Sequence, residues 1–141
     1  MQTSRVRRGF QGTAVALTRT DRMVQLVTPQ LRSTNWTRTK AFYVDGLGFG
    51  IDWEHQFAPG MPTFAQVTLN GRSLFLSEHA GDCQPGGAAY IVLDDIDAFY
   101  MTIKTRGVRV DDPPQDAPWG VREMSLVDPD GNRLRFANPQ S

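Results

Sequence analysis

The sequence predicts an α+β fold in which two βαβββ modules pair to form a cupped, mixed sheet. Two observations lead there: an internal repeat whose halves run in step, and the same order of strand, helix and three strands within each half. Phe42-Tyr43 is followed by Leu47-Gly48-Phe49-Gly50-Ile51, and Phe99-Tyr100 by Arg106-Gly107-Val108-Arg109-Val110, an offset of 57 residues. Later, Asn70-Gly71-Arg72-Ser73-Leu74-Phe75-Leu76 finds its echo in Asp130-Gly131-Asn132-Arg133-Leu134-Arg135-Phe136, an offset of 60. Two matches in register are harder to obtain by chance than two isolated ones.

Each element has a physical reason. The first strand-like runs are Val24–Leu31 and Ala88–Leu93. Ile96, Phe99, Tyr100 and Ile103 follow helical spacing, with Asp94 or Asp95 as N-cap and Gly107 where a left-handed C-terminal cap belongs. In the first half Ser33, Thr34 and Asn35 are candidate caps for a helix through Phe42 and Tyr43 that closes near Gly46. The remaining strands are expected at Phe49–Glu54, Phe64–Leu69 and Ser73–Ser77, then near Arg109–Asp112, Arg122–Val127 and Arg133–Ala137. Asn70-Gly71 is a two-residue hairpin signal, and Pro129-Asp130-Gly131 a turn. One such sheet alone leaves a face bare. Pairing two of them, within a chain or between chains, covers that face and creates a cleft.

The 141 residues suffice for one core, and their 40% hydrophobic and 21% charged content is that of a globular chain rather than a disordered one. No apolar run approaches the ~20 residues that cross a bilayer. A single cysteine, Cys83, forms no disulfide within one chain, which fits a reducing cytoplasm. Residues 1–22 hold Arg5, Arg7, Arg8, Arg19 and Arg22 against Asp21 alone, which leaves ten basic and fourteen acidic residues in 23–141. That acidic body leans towards cationic ligands and away from nucleic acid. Residues 1–22 are expected to be a disordered basic extension, or to precede a natural start at Met23; a targeting peptide is the other reading of that composition. The rest, 23–141, is expected to be one domain, with module one at 24–80 and module two at 88–138.

The residues then resemble the vicinal-oxygen-chelate superfamily, and within it the bleomycin-resistance proteins. The resemblance covers about Val24 to Asn138. It rests on Ala41-Phe42-Tyr43 through Leu47-Gly48-Phe49-Gly50, on Ser73-Leu74-Phe75-Leu76-Ser77, and on Pro118-Trp119-Gly120-Val121-Arg122-Glu123-Met124-Ser125-Leu126-Val127-Asp128-Pro129-Asp130-Gly131-Asn132. Enzymes of that superfamily usually hold a divalent metal through His and Glu at equivalent strand positions of the two modules. Here the resemblance places Thr28, Phe75, Tyr90 and Arg135 at those positions, none of them a usual ligand, so no metal and no cofactor is expected. His55 and His79, with Glu54 or Glu78, are the one alternative ligand set; both histidines read more simply as strand-end residues. Cys83 has no base beside it, and the acid pairs Asp94-Asp95 and Asp111-Asp112 read as a helix cap and a solvated loop. No nucleophile elbow or phosphate-cradling loop is present.

The resemblance therefore implies a binding module rather than an enzyme: a cytoplasmic homodimer that sequesters a bleomycin-family antibiotic, unmodified, in grooves at its interface. The carried-over ligand contacts are Asp52, Trp53, Phe57 and Phe64 of module one, Ser77 and Tyr90 from the sheets, and Trp119 with Gly120 at the end of the polar loop Asp111–Ala117. Tyr90 stands where a relative has tryptophan, and Glu54-His55-Gln56 is less acidic than the family's stretch there. Trp36, near a helix start, is expected to pack structurally. A glyoxalase-like lyase or dioxygenase with an unconventional site, and a sequestering protein for another flat DNA-damaging antibiotic, are the alternatives. No nucleic-acid or membrane partner is expected.

Overall fold

A computed structural model describes residues 25–140; the reading of residues 1–22 lies outside them. The first half runs β1 (Gln30–Arg32), a helix that begins as α1 (Trp36–Lys40) and widens into a π-helical turn (Ala41–Gly46), then β2 (Gly50–His55), β3 (Phe64–Leu69) and β4 (Arg72–Ser77). The second runs β5 (Ala88–Val92), α2 (Ile96–Thr105), β6 (Asp112–Asp116), β7 (Val121–Val127) and β8 (Arg133–Pro139). Each half forms its own four-stranded mixed sheet, in the orders β1-β4-β3-β2 and β5-β8-β7-β6. In both, a parallel pair (β1 with β4, β5 with β8) leads into two antiparallel ones, so the halves share one topology.

Local chemistry explains the boundaries. Asn35 caps α1 by accepting from the Arg38 N–H at 3.0 Å, and Asp95 caps α2 by accepting from Ala98 at 3.1 Å. Ser33 and Thr34 bond elsewhere, to Thr39 and Asp130. Gly107 ends α2 at φ 84°, while the matching left-handed residue after the first helix is Gly48 at φ 90°, two positions beyond Gly46. Asn70 and Gly71 both take positive φ, as a two-residue hairpin turn requires.

Two strands differ from expectation. Among the described residues of the run Val24–Leu31, only Gln30 and Leu31 pair as strand, and Arg32 extends it. Pro29 has no N–H to give, though its carbonyl accepts from Phe75. Further back the Gln25 side chain takes the place of a backbone, donating to Ser73 O at 3.0 Å and accepting from Ser73 N at 2.8 Å. The second strand of module two lies at Asp112–Asp116 rather than Arg109–Asp112, and includes Pro113 and Pro114. Prolines fit there because β6 is an edge strand with a bulge, pairing through Asp112, Gln115 and Asp116.

One hydrophobic core joins the halves. The inward residues of β3 and β4 (Val67, Leu74, Leu76), those of β7 and β8 (Met124, Leu126, Leu134, Phe136) and the helix residues Tyr43, Ile96 and Ile103 form a single buried cluster. Its polar centre is Asp128, only 4% exposed. Its Oδ1 accepts from the backbone N–H groups of Asp130 and Asn132, and its Oδ2 from the Asn132 amide and the Tyr43 hydroxyl. Asn132 also donates to Arg32 O and accepts from Gly87 N–H. The Asp-Pro-Asp-Gly-Asn turn of module two is thus the bolt that fastens it to β1 and the first helix. A buried carboxylate with four donors is satisfied where a bare one would be costly.

Candidate functional site

Alternation along the strands sends one set of side chains into the core and the other onto the opposite face. On the first sheet that second face carries an aromatic platform. Trp53 stacks on Phe64 with centroids 5.6 Å apart and planes 29° from parallel, and Phe75 closes the group at 5.9 Å from Trp53 and 5.1 Å from Phe64. A bulge in β2 between Ile51 and Trp53 turns Asp52 onto the same face as Trp53, where it accepts from Gln66 at 2.9 Å and from the Thr68 hydroxyl. Phe57, 76% exposed, stands at the strand end between His55 (4.7 Å) and His79 (6.0 Å).

The second sheet presents a polar counterpart. Trp119 sits at the tip of the β6–β7 hairpin, a three-residue loop of Pro118, Trp119 and Gly120 in which Gly120 takes φ 90°. Ala117 and Gly120 N–H close the loop onto Val121 O and Ala117 O. The expected long polar loop at Asp111–Ala117 is therefore mostly strand, and Trp119 is held by a tight turn. Its indole N–H donates to Glu123 Oε2 at 3.0 Å, and the Tyr90 hydroxyl donates to the same oxygen at 2.7 Å. That bond to Glu123 is the main reason the Tyr90 phenol lies above its ordinary range, with desolvation next; Tyr90 stays a neutral donor. Trp119 and Glu123 border an open hollow of about 420 Å³ that also meets Asp112, Ser125 and Arg135.

Of the expected contacts, Asp52, Trp53, Phe57 and Phe64 gather on the first sheet, and Tyr90, Trp119 and Gly120 on the second. Among the described residues no hydrogen bond or ring contact joins the two walls within one chain. Ser77 does not belong to either: it is fully buried, its hydroxyl donating to Asp82 at 2.6 Å and accepting from the His79 N–H. Sequence reasoning missed Glu123 as an aromatic anchor and Phe75 as part of the platform. The two-residue period puts both on the outward face, since Glu123 and Phe75 alternate with the buried Met124 and Leu74, but not what they touch there.

The metal positions need one correction. Phe75 pairs with Gln30, and Tyr90 with Arg135, so the symmetric set is Gln30, Phe75, Tyr90 and Arg135; Thr28 precedes the strand. An amide, a benzyl ring, a phenol and a guanidinium do not fit a divalent cation. Glu54 and Glu78 are engaged elsewhere. Glu54 accepts from the Trp36 indole at 2.7 Å and Lys40 at 3.1 Å, which outweigh its desolvation and hold its carboxyl below the usual range. Glu78 accepts from the Trp36 and Thr63 backbone N–H groups, both at 2.8 Å. Trp36 thus ties α1 to β2 and packs against the core, as expected. Among the described residues no group of three His, Cys, Asp or Glu side chains could hold a metal. Burial and then Asp82 push the Cys83 thiol up, away from the reactive thiolate.

Comparison with known proteins agrees with this architecture. Comparison with curated protein sequences yields no significant match. Among solved structures, a bleomycin resistance determinant encoded on the transposon Tn5 is 27% identical, with 84% of this chain and 100% of that one covered and a TM-score of 0.68. A bleomycin-binding protein complexed with bleomycin is 28% identical, covering 83% and 100%, at a TM-score of 0.66. An antibiotic-binding protein from a Streptomyces species is 26% identical, covering 84% and 98%, at 0.68. The family described as glyoxalase superfamily protein matches residues 13–141. With that match spanning nearly the whole sequence, and its two modules sharing one topology, the chain belongs to the glyoxalase superfamily.

Proposed function

We propose that this protein binds a bleomycin-family glycopeptide antibiotic, through its flat rings, and sequesters it, unaltered, in the cytoplasm. The observation that carries the reading is the platform of Trp53, Phe64 and Phe75, with Asp52 beside it, on the face of the first sheet away from the core. Aromatic faces of this kind accept flat heteroaromatic rings at about 0.5–1.5 kcal/mol per ring pair beyond the area buried, and a cationic group over a ring adds a similar amount. The acidic balance of residues 23–141 favours a cationic tail. The likeness to a bleomycin-binding protein solved with its drug supports the same ligand class.

The functional unit is a homodimer. Each wall lies on its own sheet, and a second copy can bring the Trp53 wall of one protomer opposite the Trp119 wall of the other. Protection then needs only tight binding and abundance, with no bond made or broken in the drug. Titration of metal-free protein with bleomycin should give a saturable change in tryptophan fluorescence at micromolar drug, with one drug per wall pair. A flat titration sinks the proposal, and a stoichiometric bound transition metal in the purified protein would favour a lyase or dioxygenase instead.

A second reading keeps the mechanism and changes the drug. The likeness to an antibiotic-binding protein from a Streptomyces species supports an antibiotic ligand without fixing it as bleomycin. Resistance of expressing cells to a panel of such drugs separates the two.

A further inference from the structure

The second wall depends on one acceptor. Tyr90 comes from β5 at the sheet edge, Glu123 from β7 across the intervening β8, and Trp119 from the hairpin tip, yet both aromatic side chains end on Glu123 Oε2. Tyr90 is 51% exposed and Trp119 65%, so packing alone does not select their rotamers. Glu123 is half-buried, and among the described residues it forms no ion pair with a basic side chain. Its charge is spent on two aromatic N–H and O–H groups, and hydrogen bonds to a charged acceptor are about twice as strong as neutral ones.

We propose that Glu123 is a positioning residue, a carboxylate that fixes the Trp119 and Tyr90 rings in advance so that the second wall is ordered before a ligand arrives. Its effect on affinity rests on the antibiotic-binding reading above; its effect on the rings does not. Without Glu123 each ring must be ordered on binding, at about two- to tenfold in affinity per ring.

The test uses the whole chain. In Glu123→Ala the indole ¹H–¹⁵N resonance of Trp119, assigned by its loss in Trp119→Phe, should move upfield and exchange faster with solvent. In Glu123→Gln, which keeps one carbonyl acceptor of nearly the same reach, it should lie between. Bleomycin affinity should fall about four- to hundredfold in Glu123→Ala, with thermal stability held within a few degrees. In a Tyr90→Phe, Trp119→Phe background, which offers Glu123 no donor, Glu123→Ala should change affinity less than twofold. An unmoved Trp119 resonance overturns the proposal whether or not any drug binds. An equal loss of affinity in the double-Phe background also overturns it, because Glu123 would then act on the ligand directly. Absence of bleomycin binding in the unmodified protein refutes the drug assignment alone and leaves the resonance to decide the role of Glu123.

Discussion

Replacing Tyr43 by phenylalanine removes one oxygen from the centre of the fold. Tyr43 is completely buried in the π-helical turn, its ring edge-on to Phe42 at 5.3 Å and Phe49 at 5.6 Å. Phenylalanine keeps those contacts. What goes is the hydroxyl that donates at 2.6 Å to Asp128 Oδ2, joining the first helix to the turn of module two. Asp128 keeps three donors, so it is weakened rather than stranded. Hydrogen bonds to charged groups contribute about 1.5–3 kcal/mol, and the lower half of that range applies here. For a chain of this size urea midpoints move by roughly 1 M for a loss of about 2 kcal/mol, given a slope of ~2 kcal/mol/M. The melting temperature should fall by about 4–8 °C. Urea unfolding followed by far-UV circular dichroism checks this, with the slope unchanged. A midpoint within ~0.2 M of the parent protein would refute the reasoning, because the turn would then hold Asp128 without help from the helix.

The same residue sets an alkaline limit. Burial first, then the Asp128 charge, raise the Tyr43 phenol well above its ordinary value near 10. The unfolded chain therefore releases this proton before the folded one does, and stability contributed by neutral Tyr43 is complete below pH ~10 and lost as pH rises beyond it. Tyr43→Phe should flatten that alkaline decline in urea midpoints measured from pH 8 to 11. Trp53→Leu should weaken drug binding by about tenfold while moving the melting temperature little, since its ring packs on the platform rather than in the core; fluorescence competition and calorimetry measure both. Gly120→Ala meets no neighbouring atom but must hold φ 90°, so it should cost about 1–2 kcal/mol and loosen the hairpin that carries Trp119, read by thermal melting.

Much of this was legible in the amino-acid order. The repeat located both sheets because a two-residue period and turn pairs such as Asn70-Gly71 are local signals. Asn35 and Asp95 were among the expected caps for the same reason. The strand errors came from non-local compensation. Gln25 completes an edge with its side chain, and β6 tolerates two prolines because only one of its sides is paired. At the site, Trp53 and Asp52 were placed on one wall by resemblance, but the bulge that turns both to the same face depends on register with β3. Ser77 was misjudged because period alone says which way a hydroxyl points, and not that Asp82 in the following loop folds back to take it. Glu123 was overlooked since a charged residue on an outward strand position reads as solvated until its partners from β5 and the hairpin tip are known.

The turn at Ala117-Pro118-Trp119-Gly120-Val121 and the one at Asp128-Pro129-Asp130-Gly131-Asn132 are the same device. Each closes with matching hydrogen bonds, 2.8 and 3.2 Å in the first and 2.9 and 3.0 Å in the second, and each has a left-handed glycine at the fourth place. Their middle residues face opposite demands. Asp130 is tied to Arg38 and nearly inaccessible, whereas Trp119 projects from the molecule. A single β-turn has thus been used twice, once as a fastener whose tip cannot change and once as a mount whose tip can. Substitution at position 119 would change what the second wall presents while leaving the scaffold intact, and under the proposed function that tip is where a change of drug costs the fold least.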